Sequence, residues 1–117
     1  MRNNRNADVL KRIIFYCHEI SETIRRFGED YTVFGQDSVY KNATALCVLQ
    51  IGELTTHLTD DFRQTYLGMP WAQIKALRNV VAHNYGKIDV ESLWETVTSD
   101  IPKLEEYCNT ILKQIDI

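Results

Sequence analysis

With 117 residues, 44% of them hydrophobic and 25% charged, the chain has the size and balance of one globular domain with a buried core, which excludes a disordered polymer. Thirteen Lys and Arg against sixteen Asp and Glu leave a net charge of -3, so bulk positive charge is not expected to hold a nucleic acid, although a local basic patch can. No apolar run approaches the roughly 18 residues a membrane span requires, and the opening MRNNRNADVL has no apolar signal core, which makes the cytoplasm the expected compartment.

Apolar residues recur at three and four along the chain, and only five Gly and two Pro interrupt them. Val9, Ile13, Tyr16, Cys17, Ile20, Ile24 and Phe27 predict a first helix over about residues 8 to 27, closed by Gly28. Glu29 to Gln36 reads as a short loop. A second helix is expected from about Ser38, read as its N-cap after Asp37, through Leu46, Leu49, Leu54 and Leu58. Asp60 to Pro70 reads as a connector, and Pro70 suits the first position of a third helix carrying Trp71, Ile74, Leu77, Val80 and Val81 to about Ala82. Asn84 and Gly86 are residues expected where such a helix ends. A fourth helix over about 90 to 98 holds Leu93, Trp94 and Val97. Ser99 or Asp100 then caps a last one with Ile101, Leu104, Tyr107, Cys108, Ile111, Leu112 and Ile115 on its apolar face. No alternating strand pattern competes. The fold class expected is all-α: a four- to five-helix up-and-down bundle, one domain over residues 1 to 117.

Cys17, Cys47 and Cys108 are odd in number, far apart and without a C-x-x-C pair, so they read as reduced core thiols. His18, His57 and His83 do not form an H-E-x-x-H, and Glu53 with His57 stands alone, so no metal site and no cofactor are expected. Charge is more informative. From Phe62 to Ile88 there is no acid, while Arg63, Lys75, Arg78 and Lys87 are basic; this is either a solvated helix face or a surface suited to phosphate.

Inside that stretch lies Leu77-Arg78-Asn79-Val80-Val81-Ala82-His83-Asn84-Tyr85-Gly86. On an ideal helix Asn79 and His83 are about 40° apart, Arg78 and Tyr85 about 20° apart, and Arg78 and His83 about 140° apart. A histidine titrating near neutrality moves protons, and an arginine clasps phosphate in a bidentate grip. As bare residues, an Arg and a His on one helix are more often a capping or salt-bridge arrangement, and a protonated His83 near the helix C-terminus stabilises the dipole.

Arg78, four residues, His83, one more and Tyr85 match the Arg-x4-His-x-Tyr signature of the HEPN superfamily, with Asn79 as the polar residue after the arginine. Ile51-Gly52-Glu53, Met69-Pro70-Trp71, Leu93-Trp94 and Ile101-Pro102-Lys103-Leu104 resemble flanking motifs of its HepT-type branch, over about residues 8 to 112. Lys75-Ala76-Leu77 departs from the glycine and methionine common there, which bears on packing or substrate fit only. The resemblance implies a metal-independent endoribonuclease, the toxin of a toxin–antitoxin pair. Arg78, His83 and Asn79 would be catalytic, and Glu53 a buried residue positioning Arg78. Tyr85 would be the target of adenylylation by a cognate minimal nucleotidyltransferase antitoxin. RNA is then the substrate, a two-fold homodimer with a shared cleft the assembly, and no membrane is involved. The alternative is a non-catalytic HEPN module that binds a nucleotidyltransferase or nucleotide. Trp71 and Trp94 are expected as core or dimer-interface anchors, and His18 and His57 as structural residues.

Overall fold

The computed structural model describes the backbone of residues 2–83 and 89–115 and the side chains of residues 5–77 and 89–115. Every regular element among them is helical. In chain order these are α1 (Arg2–Phe27), α2 (Tyr31–Gln36), α3 (Ser38–Thr55), α4 (Asp60–Thr65), α5 (Trp71–His83), α6 (Val90–Glu95), a π-helical turn (Thr96–Asp100) and α7 (Ile101–Ile115). The all-α bundle expected from periodicity is what forms, with α1, α3, α5 and α7 as its long members.

Helix boundaries follow local chemistry. Gly28 adopts φ 103°, a left-handed conformation open to glycine, and its N–H donates to the Ile24 carbonyl at 2.7 Å to close α1. The stretch 29–36, expected as a loop, holds α2, because the Asp30 carboxylate accepts from Val33 N–H at 3.1 Å and supplies an N-cap. Asp37, not Ser38, caps α3: its carboxylate accepts from the N–H groups of Val39 at 2.9 Å and Tyr40 at 3.2 Å. The expected connector 60–70 likewise holds α4, capped by the Thr59 hydroxyl, which accepts from Phe62 N–H at 3.2 Å. Asp89 caps α6 in the same way.

No break separates the last two expected helices. Helical dihedrals run through Thr96 and Ile101, and Ile101 N–H donates to the Thr96 carbonyl five residues back. Pro102 follows directly. A proline inside a helix lacks a donor and collides with the carbonyl four residues earlier, and a widened π turn accommodates both.

The core is the meeting of four stripes. Val9, Leu10, Ile13, Cys17 and Ile20 from α1 face Ala45, Val48, Ile51 and Leu54 from α3. Leu104, Cys108 and Ile111 from α7 and Trp71 and Ile74 from α5 close it. The strongest helix pairings are α1 with α3, α3 with α5, and α1 with α7. Phe34, Tyr40 and Trp94 form an aromatic cluster at one end, with Phe34 4.8 Å from Tyr40 and 4.9 Å from Trp94. The Tyr40 phenol donates to the Gly28 carbonyl at 3.0 Å, so the buried hydroxyl is satisfied. Burial and then the nearby Glu29 hold that phenol above its ordinary pKa.

The α3 stripe differs from expectation. Leu46, read as core, is 56% exposed, because the buried set Ala45, Val48, Ile51 and Leu54 lies on the opposite side of the helix. Val39 is exposed beside it, so α3 carries apolar residues on both its inner and outer faces. The three cysteines are free thiols, as expected, with Cys17 and Cys108 buried and Cys47 half-buried. Distant in sequence, they sit on three adjoining helices, and Cys108 and Cys47 are near enough for charge on either to act on Cys17.

Candidate functional site

The signature residues belong to α5, so the site is built by whatever fixes that helix. Its start is held by backbone and indole bonds. The Pro70 carbonyl accepts from Gln73 N–H at 2.9 Å and Ile74 N–H at 3.0 Å, which places Pro70 one residue before the first helical position rather than on it. Trp71 N–H donates to the Met69 carbonyl, and its indole N–H donates to the Tyr66 carbonyl at 2.7 Å. The indole thereby satisfies a carbonyl left open at the end of α4 while its ring, 5% exposed, fills the core. Trp71 is thus a core anchor. Trp94 is half-buried against Phe34, Tyr40 and Tyr31.

From that anchored start α5 runs helically to His83, so Arg78, Asn79 and His83 all occupy one continuous helix. The side chains of these three residues lie outside the described residues, as does Tyr85 entirely, together with Asn84, Gly86 and Lys87.

Across from α5, α3 presents the Ile51-Gly52-Glu53 motif. Ile51 and Gly52 are buried, and Gly52 has no side chain to hold the helices apart. Glu53 is exposed, which corrects the expectation of a buried carboxylate. Two residues along a helix is a turn of about 200°, so a core-facing Ile51 directs Glu53 outward. His18 and His57 are exposed as well.

The basic stretch is weaker than its count of charges suggests. Arg63 is bonded to the Asp60 carboxylate one turn earlier, and its guanidinium also donates to the Thr55 carbonyl at 3.3 Å. Lys75 is exposed on α5. Among the described residues no three His, Cys, Asp or Glu side chains are gathered as a metal ion would need, and no helix is long and apolar enough to cross a membrane.

One feature was not foreseen in the sequence. A cavity of about 510 Å³ lies between the first turns of α5 and the face of α7, walled by Met69, Ile74, Leu77 and Tyr107. Its size falls within the roughly 300–1,000 Å³ of small-molecule sites. Tyr107 is held there by its hydroxyl, which accepts from Gly68 N–H at 2.9 Å across 39 residues of sequence. Glycine is the residue that fits under the ring, since a Cβ at position 68 would come 2.6 Å from Tyr107 Cε1. Tyr107 had been expected only as part of an apolar stripe, and nothing local to it signals the contact.

The family described as "Ribonuclease HepT-like" matches residues 13–111, a span that includes α3, α5 and most of α7. The chain belongs to the HepT-like ribonuclease family. Its relatives include "Putative RNase MJ1380" of Methanocaldococcus jannaschii, 32% identical over 99 residues, covering 83% of this chain and 91% of that one. "Putative RNase TTE0752" of Caldanaerobacter subterraneus subsp. tengcongensis is 29% identical over 105 residues, covering 90% and 92%. "Probable ribonuclease HepT" of Thermococcus cleftensis is 30% identical over 96 residues, covering 77% and 86%. No solved structure matches the chain significantly. The HEPN resemblance read from the motifs therefore holds at the level of family, and the family supports an RNase.

Proposed function

We propose that this chain is a metal-independent endoribonuclease, the toxin of a toxin–antitoxin pair acting in the cytoplasm, built as one HEPN-like domain and silenced by adenylylation of Tyr85. The observation that carries this reading is Arg78-x4-His83-x-Tyr85 on and just beyond α5, inside the span matched by a ribonuclease family.

RNA brings its own nucleophile. The 2'-hydroxyl attacks the adjacent phosphorus, the bond to the 5'-oxygen breaks, and a 2',3'-cyclic phosphate and a 5'-hydroxyl result. His83 takes the proton from the 2'-hydroxyl or returns one to the leaving oxygen, Arg78 stabilises the charge that grows on the phosphate oxygens, and Asn79 orients the histidine or the phosphate. For silencing, the Tyr85 oxygen attacks the α-phosphorus of ATP bound to a minimal nucleotidyltransferase partner, pyrophosphate leaves, and the phenolic proton is lost. The added phosphodiester is bulky and anionic and competes for the arginine that RNA requires.

A two-fold homodimer completes the reading. The tryptophans do not argue for it, being packed within the chain, but Val39 and Leu46, 63% and 56% exposed on α3, leave an apolar face for a second copy.

The test is cleavage of RNA by the purified chain in excess chelator, with the product ends identified. Cyclic phosphate termini are expected, with Arg78→Ala and His83→Ala each lowering the rate by about 10²–10⁴-fold. Activity lost to chelator and restored by magnesium or manganese would overturn the mechanism.

A further inference from the structure

We propose that the cavity between α5 and α7 is a nucleobase site that selects guanine in the RNA, a specificity site resting on the ribonuclease reading above. Its place is the first argument. Leu77, which walls it, immediately precedes Arg78, and His83 lies six residues on, about 9 Å of helix rise. Arg78 stands about 100° round α5 from Leu77, so a long arginine side chain can hold the scissile phosphate at the edge of the cavity while a flanking base enters it.

The lining is the second argument. Met69 and Leu77 offer apolar faces, and the Tyr107 ring offers an aromatic one that is fixed beforehand by its bond to Gly68 N–H. Flat bases pack between such surfaces. Polar groups at the rim then choose among bases. Asp100 and Glu106 contribute carboxylates, which only accept, and Gln73 contributes an amide. Guanine is the base whose pairing edge presents two adjacent donors, N1–H and the 2-amino group, to a single carboxylate. Uracil presents two carbonyl oxygens and one N–H there, so its acceptors would face the carboxylate charge. Lys103, also at the rim, meets the neighbouring phosphate.

Titration with GMP and UMP, followed by the methyl resonance of Met69, tests the site independently of any cleavage. The chain has two methionines, so the signal is readily assigned. GMP is expected to shift the Met69 methyl with at least about tenfold tighter binding than UMP, which is one well-placed bidentate pair. Gln73→Trp and Thr110→Trp, both at exposed wall positions, should abolish the shift. In parallel, sequencing of the 5'-hydroxyl ends from a random RNA pool should show guanine at one fixed position beside the cut, and the two tryptophan variants should lose that preference. A silent Met69 methyl, equal binding of UMP, or a shift unaffected by both variants would overturn the site even if RNA is cut. GMP binding without any RNA cleavage would instead overturn the ribonuclease reading and leave the guanine site standing.

Discussion

Replacing Gly68 by alanine should destabilise the fold, and only while Tyr107 is present. The new Cβ would lie 2.6 Å from Tyr107 Cε1, 2.7 Å from its hydroxyl oxygen and 2.8 Å from Cζ, all well inside van der Waals contact. The ring cannot withdraw without loss, since its hydroxyl accepts from Gly68 N–H at 2.9 Å and its centroid sits 6.2 Å from that of Trp71. Overpacking costs about 1–3 kcal/mol, and a lost hydrogen bond about 1 kcal/mol. Against them stands the roughly 0.4–1 kcal/mol that alanine gains by restricting the unfolded chain, a gain open here because Gly68 has no positive φ. The net loss should be about 1–3 kcal/mol, or about 4 °C in Tm for each kcal/mol at this chain length. In a Tyr107→Ala background the obstacle is gone, and Gly68→Ala should be neutral or stabilising by up to about 1 kcal/mol. Urea unfolding of the four proteins at one concentration, followed by circular dichroism, yields the coupling energy directly. Equal costs of Gly68→Ala in both backgrounds would refute the ring as the cause.

Asp37→Ala removes the acceptor for two N–H groups at the start of α3 and should cost about 1 kcal/mol in urea unfolding, with Asp37→Asn retaining most of it. Burial, and then Glu19, pushes the Cys47 thiol up to about 11, and burial, then Glu105, pushes Cys108 up to about 12. Thiols that ionise more readily unfolded than folded favour the native state below their ordinary value of 9.0 and lose that contribution as pH rises through the folded values. Stability should accordingly fall from about pH 9 upward, and fall less steeply in Cys108→Ala; urea unfolding across that range would show it, and an identical slope in the variant would count against the cause. Tyr85→Phe should escape adenylylation, read by intact mass, while keeping most of its RNA cleavage, because the phenol has no necessary part in the proton transfer.

How much of this was legible in the sequence depends on how local each signal is. The four long helices were, because each buries a stripe whose spacing is written in consecutive turns, as Ile101, Leu104, Cys108 and Ile111 show on α7. The short helices α2 and α4 were not, whereas α6 was, its Leu93 and Trp94 falling in an apolar run. Six residues are too few for periodicity to speak, and α2 and α4 exist by virtue of a cap, Asp30 and Thr59, within segments that otherwise read as loops. On α3 the expected stripe holds at Leu54, and at Leu58 just beyond the helix, and fails at Leu46: a helix apolar on two sides offers two stripes, and only its partners decide that Ala45 and Val48 turn inward while Leu46 turns out.

The same distinction separates the two parts of the candidate site. Arg78, Asn79 and His83 share one helix, so a motif five or six residues long captures their relation before any tertiary structure is known. The cavity beside them joins Gly68 to Tyr107 over 39 residues, and neither carries a local mark of it: a glycine in a connector and a tyrosine in an apolar stripe are each what their own element already requires. Only the packing of α7 beneath the connector gives them a joint consequence. A chain can thus display the chemistry of a reaction in its sequence while its selectivity waits on the fold, since chemistry needs a few groups at fixed helical spacing and selectivity needs a shaped space between elements. On the proposed reading the bond-breaking residues lie on α5 and the choice of base in the gap between α5 and α7, two assignments that variants at Arg78 and Gln73 separate.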